Sequence, residues 1–169
     1  MPELVHGTAV AVAGRAVLLR GASGAGKSDL ALRLICGRDR FPGLAGTPIL
    51  VADDYLHLAV SRGRVTLTAP ATIAGLLEVR GVGILNVPYV AKATLALVVD
   101  LVEARAVPRL PESETAAFLG IPVPRLALDP FEASAPAKVL AALAASSPAT
   151  RRRPAAAKAL ASRRDTRQT

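Results

Sequence analysis

The chain has 169 residues, of which 51% are hydrophobic and only 3% are aromatic. This length allows one domain with an aliphatic core, and a single cysteine, Cys36, excludes an internal disulfide framework. The sequence contains no apolar run long enough to predict a membrane span, and its start does not have the features of a signal peptide. We therefore expect a cytoplasmic protein with no membrane partner.

The formal net charge of +8 is concentrated near the carboxyl end. Residues 151–169 carry seven basic residues and one acidic residue, an excess of +6, whereas the first 150 residues carry 14 basic and 12 acidic residues. A balanced body that is poor in stacking aromatics argues against a specific nucleic-acid partner. We predict one folded domain over residues 1–147, followed by a flexible, basic Ala/Arg-rich tail over residues 148–169.

The first predicted elements are two strands and a helix. Residues 8–13 and 15–20 are rich in β-forming residues, and Gly14 between them predicts a tight turn. Residues 27–35 place their apolar side chains on one face of a helix. The Gly- and Pro-rich segment that follows, residues 36–48, is typical of a loop.

The rest of the chain is predicted to be mostly strand. Residues 71–81 fit both a helix and a strand, and residues 109–128 are predicted to hold one or two helical turns before a Pro-bounded strand. The other expected elements are a strand over 49–54, a hairpin of 55–60 with 64–69, a strand over 93–102 and a helix over 134–147. This order predicts an α/β fold around a mixed, twisted sheet, with ligands at the ends of the strands.

The stretch GASGAGKS, residues 21–28, fits the phosphate-loop pattern G-x-x-x-x-G-K-[ST] between a predicted strand and a predicted helix. Glycines allow the backbone amides to approach an anion, and the helix N-terminus adds a partial positive charge. Lys27 can reach the β- and γ-phosphates, and the Ser28 hydroxyl can bind Mg²⁺. The predicted nucleotide-binding residues are Gly21, Ala22, Ser23, Gly24, Ala25, Gly26, Lys27 and Ser28. A plain glycine-rich turn is the alternative.

Two adjacent acids, Asp53 and Asp54, follow an apolar run. Neighbouring side chains of a strand face opposite ways, so one acid can face a metal ion while the other acts as a general base. A structural Asp-Asp turn is the alternative. His6, just before a predicted strand, is a further candidate, although a single histidine is more often structural.

Several segments, taken in order, resemble the HPr kinase/phosphorylase family. These are VHGTAV, GASGAGKSDLALRLI, LVADD, LLEVRGVGILNV and GIPVPRLAL, which together cover residues 5–128. The resemblance implies ATP-dependent phosphorylation of a serine on HPr, the phosphocarrier protein of the phosphotransferase system, and a reverse phosphorylase reaction driven by inorganic phosphate. It also implies a P-loop core like that of phosphoenolpyruvate carboxykinase and a homo-oligomer, often a hexamer.

The resemblance further implies roles for individual residues. Lys27 matches the phosphate-binding lysine, and Ser28 and Glu78 match groups on the Mg²⁺ side. The remaining matches are Asp53 and Asp54, which correspond to the pair that supplies the proton acceptor, and His6, which corresponds to the family's active-site histidine.

The chain departs from the family after GIPVPRLAL, where DPFEASAP replaces a Gly-Arg-Asn segment that contains a catalytic arginine. This departure leaves the phosphorylase activity open. Arg80, Arg105 or Arg125 could supply the missing charge, and we include Arg80 among the predicted catalytic residues. Two alternatives to an HPr kinase remain: a nucleotide-binding regulator without kinase activity, and a small-molecule kinase.

Overall fold

The computed structural model describes residues 2–147, which form eleven strands and two α-helices. The predicted tail, residues 148–169, lies outside the described residues. The helices are α1 (Lys27–Cys36) and α2 (Ala135–Ala145). The strands are β1 (Glu3–His6), β2 (Thr8–Val12), β3 (Arg15–Arg20), β4 (Ile49–Ala52), β5 (Tyr55–Ser61), β6 (Arg64–Thr68), β7 (Leu76–Val79), β8 (Gly83–Asn86), β9 (Ala93–Leu101), β10 (Glu114–Phe118) and β11 (Ile121–Leu128).

Nine of these strands form one mixed sheet. Seven of them lie in the order β1-β5-β6-β9-β3-β2-β4, and β10 and β11 extend the sheet beside β9. Strands β3, β9 and β11 run parallel, and the other pairings are antiparallel. The β7-β8 hairpin stands apart as a two-stranded sheet. The predicted α/β fold with a mixed sheet is therefore confirmed. The likeness to phosphoenolpyruvate carboxykinase stays a prediction.

Alternating side chains divide the core between the two faces of the sheet. On β2, Val10 and Val12 pack in the same cluster as Leu30 and Leu34 of α1 and Leu143 of α2. The residues between them, Ala9 and Ala11, belong to a second cluster that is formed largely by the other strands. This period of two is the pattern expected for a strand buried on both faces. The helices thus cover one face of the sheet, and the cluster on the other face is formed by strand residues.

Most predicted elements are present. Strands β2 and β3 pair as a hairpin around Gly14, β5 and β6 pair across residues 61–63, and both helices form as expected. The ambiguous segment 71–81 contains the strand β7. No helix of the described residues is long and apolar enough to cross a membrane.

The prediction of a helical turn ahead of the Pro-bounded strand is wrong. Residues 114–118 form β10, which pairs antiparallel with β11. The connecting residues Leu119 and Gly120 both have positive φ, 50° and 77°, as a two-residue hairpin turn of the primed type requires. Phe118 and Val123 then enter the core from the two strands, and their burial outweighs the local helix preference of the alanines.

Candidate active site

The glycine-rich loop, residues 21–26, connects the buried strand β3 to the first residue of α1. A Cβ atom at Gly21 would lie 2.9 Å from the Ala25 Cβ, so the loop closes too tightly there for a side chain. Gly26 has a φ of 89° immediately before the helix, a conformation that favours glycine. The loop therefore presents its backbone at a helix N-terminus, which is a favourable position for an anion.

Lys27 is the first residue of α1, and its side chain returns across the loop. Its ammonium group donates to the carbonyl oxygens of Gly21 and Ala22, both at 3.0 Å. The residue is 8% exposed. Among the described residues it has no acidic partner within ion-pair distance, so its charge is held by neutral dipoles beside the loop.

Asp53 is the hydrogen-bonding centre of the site. It is 6% exposed, and its Oδ1 accepts from the hydroxyls of Thr8 at 2.7 Å and Ser28 at 2.9 Å. Its Oδ2 accepts from the backbone N–H of Glu78 at 3.1 Å. One buried carboxylate therefore joins β2, α1 and β7, and its orientation is fixed by three donors.

Asp54 lies in a different environment. Its φ is 72°, its side chain is 66% exposed, and its Oδ1 lies 3.1 Å from His6 Nε2. Strand β4 ends at Ala52, so strand alternation was the wrong reason for expecting the two acids to diverge. They diverge because Asp54 adopts a left-handed backbone conformation, and the Gly7 N–H fixes that conformation by donating to the Asp54 carbonyl at 3.0 Å.

These groups line one open pocket of about 400 Å³. The predicted site residues on its wall are His6, Ser23, Gly24, Gly26, Lys27, Ser28, Asp53, Asp54, Glu78 and Arg80. Gly21, Ala22 and Ala25 belong to the loop but do not line the pocket. The structure thus brings together residues from four parts of the chain.

The three arginines that sequence analysis left open have different surroundings. Arg80 lines the pocket and, within residues 2–147, has no acidic partner at ion-pair distance. Arg125 pairs with Asp100 at 2.9 Å and Arg105 with Glu103 at 2.8 Å, and both arginines line a separate cleft. The position of Arg80 makes it the arginine available to a ligand in the pocket.

The chemistry of the oxygen donors fits a magnesium ion. Ser28 Oγ and Asp53 Oδ1 lie 2.9 Å apart, and Glu78 lines the same pocket. Mg²⁺ usually takes one or two carboxylates and completes its shell with water and substrate phosphates. Within the described residues, no cluster of three or more acidic, histidine or cysteine side chains is arranged to hold a metal.

Five residues of the pocket wall were not among the predicted site residues: Thr8, Asp29, Leu32, Val79 and Phe131. Thr8 begins the otherwise aliphatic strand β2, and a lone polar residue at the start of such a strand could have signalled a buried partner. Phe131 is one of only three phenylalanines, and it lies between proline and glutamate in the segment that departs from the family pattern. Nothing local predicts that it lies against the glycine-rich loop.

Comparisons with known proteins agree with this geometry. A family model described as the HPr Serine kinase C-terminal domain matches residues 2–164. The HPr kinase/phosphorylase of Bordetella pertussis is 38% identical over 136 residues, which is 73% of this chain and 41% of that protein. The HPr kinase/phosphorylase of Clostridium tetani is 40% identical over 84 residues, which is 50% of this chain and 25% of that protein. The chain thus matches less than half the length of these relatives.

A solved structure shares the fold. The Hpr(Ser) kinase/phosphatase from Coxiella burnetii superposes with a TM-score of 0.69 over 82% of this chain and 92% of that chain, at 23% sequence identity.

Proposed function

The chain belongs to the HPr serine kinase C-terminal domain family, and from this premise we propose that it transfers the γ-phosphoryl group of ATP to a serine of HPr. One observation carries the proposal: the phosphate loop, the Ser28–Asp53 pair and the His6–Asp54 pair all face one pocket. Phosphoryl transfer requires groups that position phosphates, metal-side oxygens and a base near the acceptor hydroxyl, and the pocket offers each of these.

In the proposed reaction, the loop amides and Lys27 hold the β- and γ-phosphates. Ser28 and Asp53 would hold Mg²⁺, with Glu78 on the same wall. Bound Mg²⁺ would supply positive charge that offsets the negative charge of the phosphate oxygens. Asp53 suits this fixed role because three hydrogen bonds hold its carboxylate in place.

Asp54 is the proposed proton acceptor. Its exposed carboxylate can meet an incoming hydroxyl, and its Oδ1 lies 3.1 Å from His6 Nε2. The serine oxygen forms a bond to the γ-phosphorus, the bond from that phosphorus to the bridging oxygen breaks, and ADP leaves with the electron pair. The serine proton passes to Asp54, while His6 positions the carboxylate.

We assign to Arg80 the charge that the family's missing arginine would supply. Its place on the pocket wall and its freedom from acidic partners within residues 2–147 support this role. The reverse reaction, in which inorganic phosphate removes the phosphoryl group from phosphoserine, would use the same groups. Because the segment that replaces Gly-Arg-Asn contains no arginine, the reverse reaction would depend on Arg80 for that charge.

We also propose a cytoplasmic homo-oligomer, following the family resemblance. Val82 and Ile84 on the β7-β8 hairpin are 68% and 69% exposed, and such apolar side chains are common at protein interfaces. Light scattering coupled to size-exclusion chromatography would give the mass in solution, and a monomer at micromolar concentration would contradict the assembly.

The direct test of the kinase is incubation with labelled ATP, Mg²⁺ and HPr from the same organism, followed by detection of phosphoserine. HPr with its acceptor serine replaced by alanine is the control substrate. Labelled phosphoserine on wild-type HPr alone is the expected result. Binding of ATP without labelled HPr would instead favour a nucleotide-binding regulator, and ATP consumption that needs a small molecule rather than HPr would favour a small-molecule kinase.

A further inference from the structure

An exposed aromatic ring stands at the rim of the phosphate loop. Phe131 lines the pocket and is 71% exposed. Its ring lies so close to Gly26 that a Cβ atom there would approach two ring carbons to 3.3 Å. In a chain with only 3% aromatic residues, this ring is a large apolar surface beside the loop that a ligand in the pocket would cover.

The segment that carries Phe131 is fastened to α1. The Arg33 guanidinium donates to the carbonyl oxygens of both Pro130 and Glu132, and its Nε lies 3.0 Å from the Asp29 carboxylate one helical turn earlier. These bonds fix the backbone on both sides of the ring relative to the helix that begins at the phosphate loop.

A second contact orients the backbone of Phe131 itself. Its N–H donates to the Asp129 carboxylate at 3.0 Å, which closes a local turn of the kind that aspartate stabilises. Several hydrogen bonds therefore hold the backbone that carries the exposed ring. A side chain on an ordered backbone loses less entropy when a ligand covers it than one on a mobile loop does.

We propose that Phe131 is the platform on which the base of the bound nucleotide stacks. This inference rests on the proposed function, because it requires the triphosphate to occupy the loop. Ribose and base must leave the loop along the pocket wall, and Phe131 and Leu32 are apolar members of that wall. Among the described wall residues, the other aromatic ring belongs to His6, which is engaged with Asp54. A flat apolar ring recognises the face common to all bases.

The test separates base binding from phosphate binding. The affinities of Mg·ATP and of magnesium tripolyphosphate, which has no base, are measured by calorimetry for wild type and for Phe131→Ala. Loss of one stacked base predicts about five- to 150-fold weaker binding of Mg·ATP, with tripolyphosphate unchanged within about twofold. Phe41→Ala is the matched control, because Phe41 is 39% exposed and does not line the pocket; it should change neither affinity.

Phe131→Trp provides a second readout. The chain contains no tryptophan, so this variant carries a single indole at the proposed platform. It should retain Mg·ATP affinity, and ATP should change its fluorescence far more than tripolyphosphate does. The exposure of the ring means that neither substitution disturbs the core.

Distinct results would overturn the platform and the proposed function. Equal losses for both probes in Phe131→Ala, or no loss for either, would refute stacking while wild-type binding still supported the phosphate site. A higher KM for HPr with unchanged ATP affinity would show that the ring contacts the protein substrate instead. If wild type bound neither probe, the nucleotide site itself would be refuted, and the platform with it.

Discussion

Two groups of charged side chains lie near the ends of the parallel strands, and they differ in the partners that their charges contact. In the ion-pair cluster, formed by Arg20, Asp100, Glu114 and Arg125, each charge meets an opposite one: Asp100 accepts from Arg20 at 2.7 and 3.0 Å and lies 2.9 Å from Arg125. In the pocket, Lys27 is held by carbonyl oxygens and Asp53 by hydroxyls and an amide.

This difference in partners indicates which charges are available to a ligand. An ion pair neutralises both partners, so its main contribution is to local structure. A charge held by neutral dipoles keeps its field while its position is fixed, which is the arrangement that stabilises developing charge in a reaction. Substitutions in the pocket should therefore alter binding or turnover, whereas substitutions in the ion-pair cluster should alter stability alone.

The largest effect is expected at Lys27. Lys27→Ala removes the cation beside the loop, so phosphoryl transfer to HPr should fall below detection and Mg·ATP affinity should drop sharply. Labelled-ATP transfer and calorimetry measure the two effects. Lys92→Ala, at an exposed lysine away from the pocket, is the control and should behave as wild type. Activity of Lys27→Ala within a few fold of wild type would remove this residue from the mechanism.

The next largest effects are expected for substitutions of the two adjacent acids, which compare an exposed and a buried carboxylate within the pocket. Asp54→Asn removes the proposed base but keeps its shape. Turnover should fall by about 10² to 10⁴, with Mg·ATP affinity and stability unchanged because the side chain is exposed. Single-turnover transfer and calorimetry on the same preparation provide the measurement.

Asp53→Asn is the matched variant of this pair. It weakens the magnesium side, so Mg·ATP affinity should fall and added Mg²⁺ should recover part of it. If the amide oxygen keeps the Thr8 and Ser28 bonds, the amide nitrogen faces the Glu78 N–H, so unfolding should become easier by about 1–3 kcal/mol. Equal, mild losses in both variants would reduce the acids to a structural turn.

The sequence was sufficient to predict the parts of the fold that depend on contiguous residues. The predicted phosphate loop is a local pattern in which strand, glycines, lysine and helix are contiguous, so its strand-loop-helix order could be predicted, and the structure has β3 and α1 on either side of residues 21–26. The β2-β3 and β5-β6 hairpins were predictable for the same reason.

The different environments of Asp53 and Asp54 depend on partners 45 and 48 residues away, Thr8 and His6. No periodicity reports such contacts, and the left-handed backbone of Asp54 has no sequence signal as strong as glycine. Strand β10 was missed because its turn, Leu119-Gly120, does not have the Asn-Gly pattern of a two-residue hairpin. The contact between Phe131 and Gly26 likewise appears only after the fold has formed.

The smallest effects separate two arginines, and they test the comparison most closely. Arg80→Ala should lower turnover by about ten- to 100-fold with little change in the melting temperature, because Arg80 lines the pocket and, within residues 2–147, has no acidic partner at ion-pair distance. Arg125→Ala should leave turnover within about twofold of wild type.

Arg125→Ala should instead lower stability by about 1 kcal/mol, since its ion pairs with Asp100 and Glu114 are partly exposed and Arg20 continues to neutralise Asp100. Steady-state transfer and urea unfolding of both variants provide the measurement. A turnover defect in Arg125→Ala without a stability change would mean that paired charge also serves the reaction. The distinction between the pocket and the ion-pair cluster would then fail, because Arg80 and Arg125 carry the same guanidinium group and differ only in their surroundings.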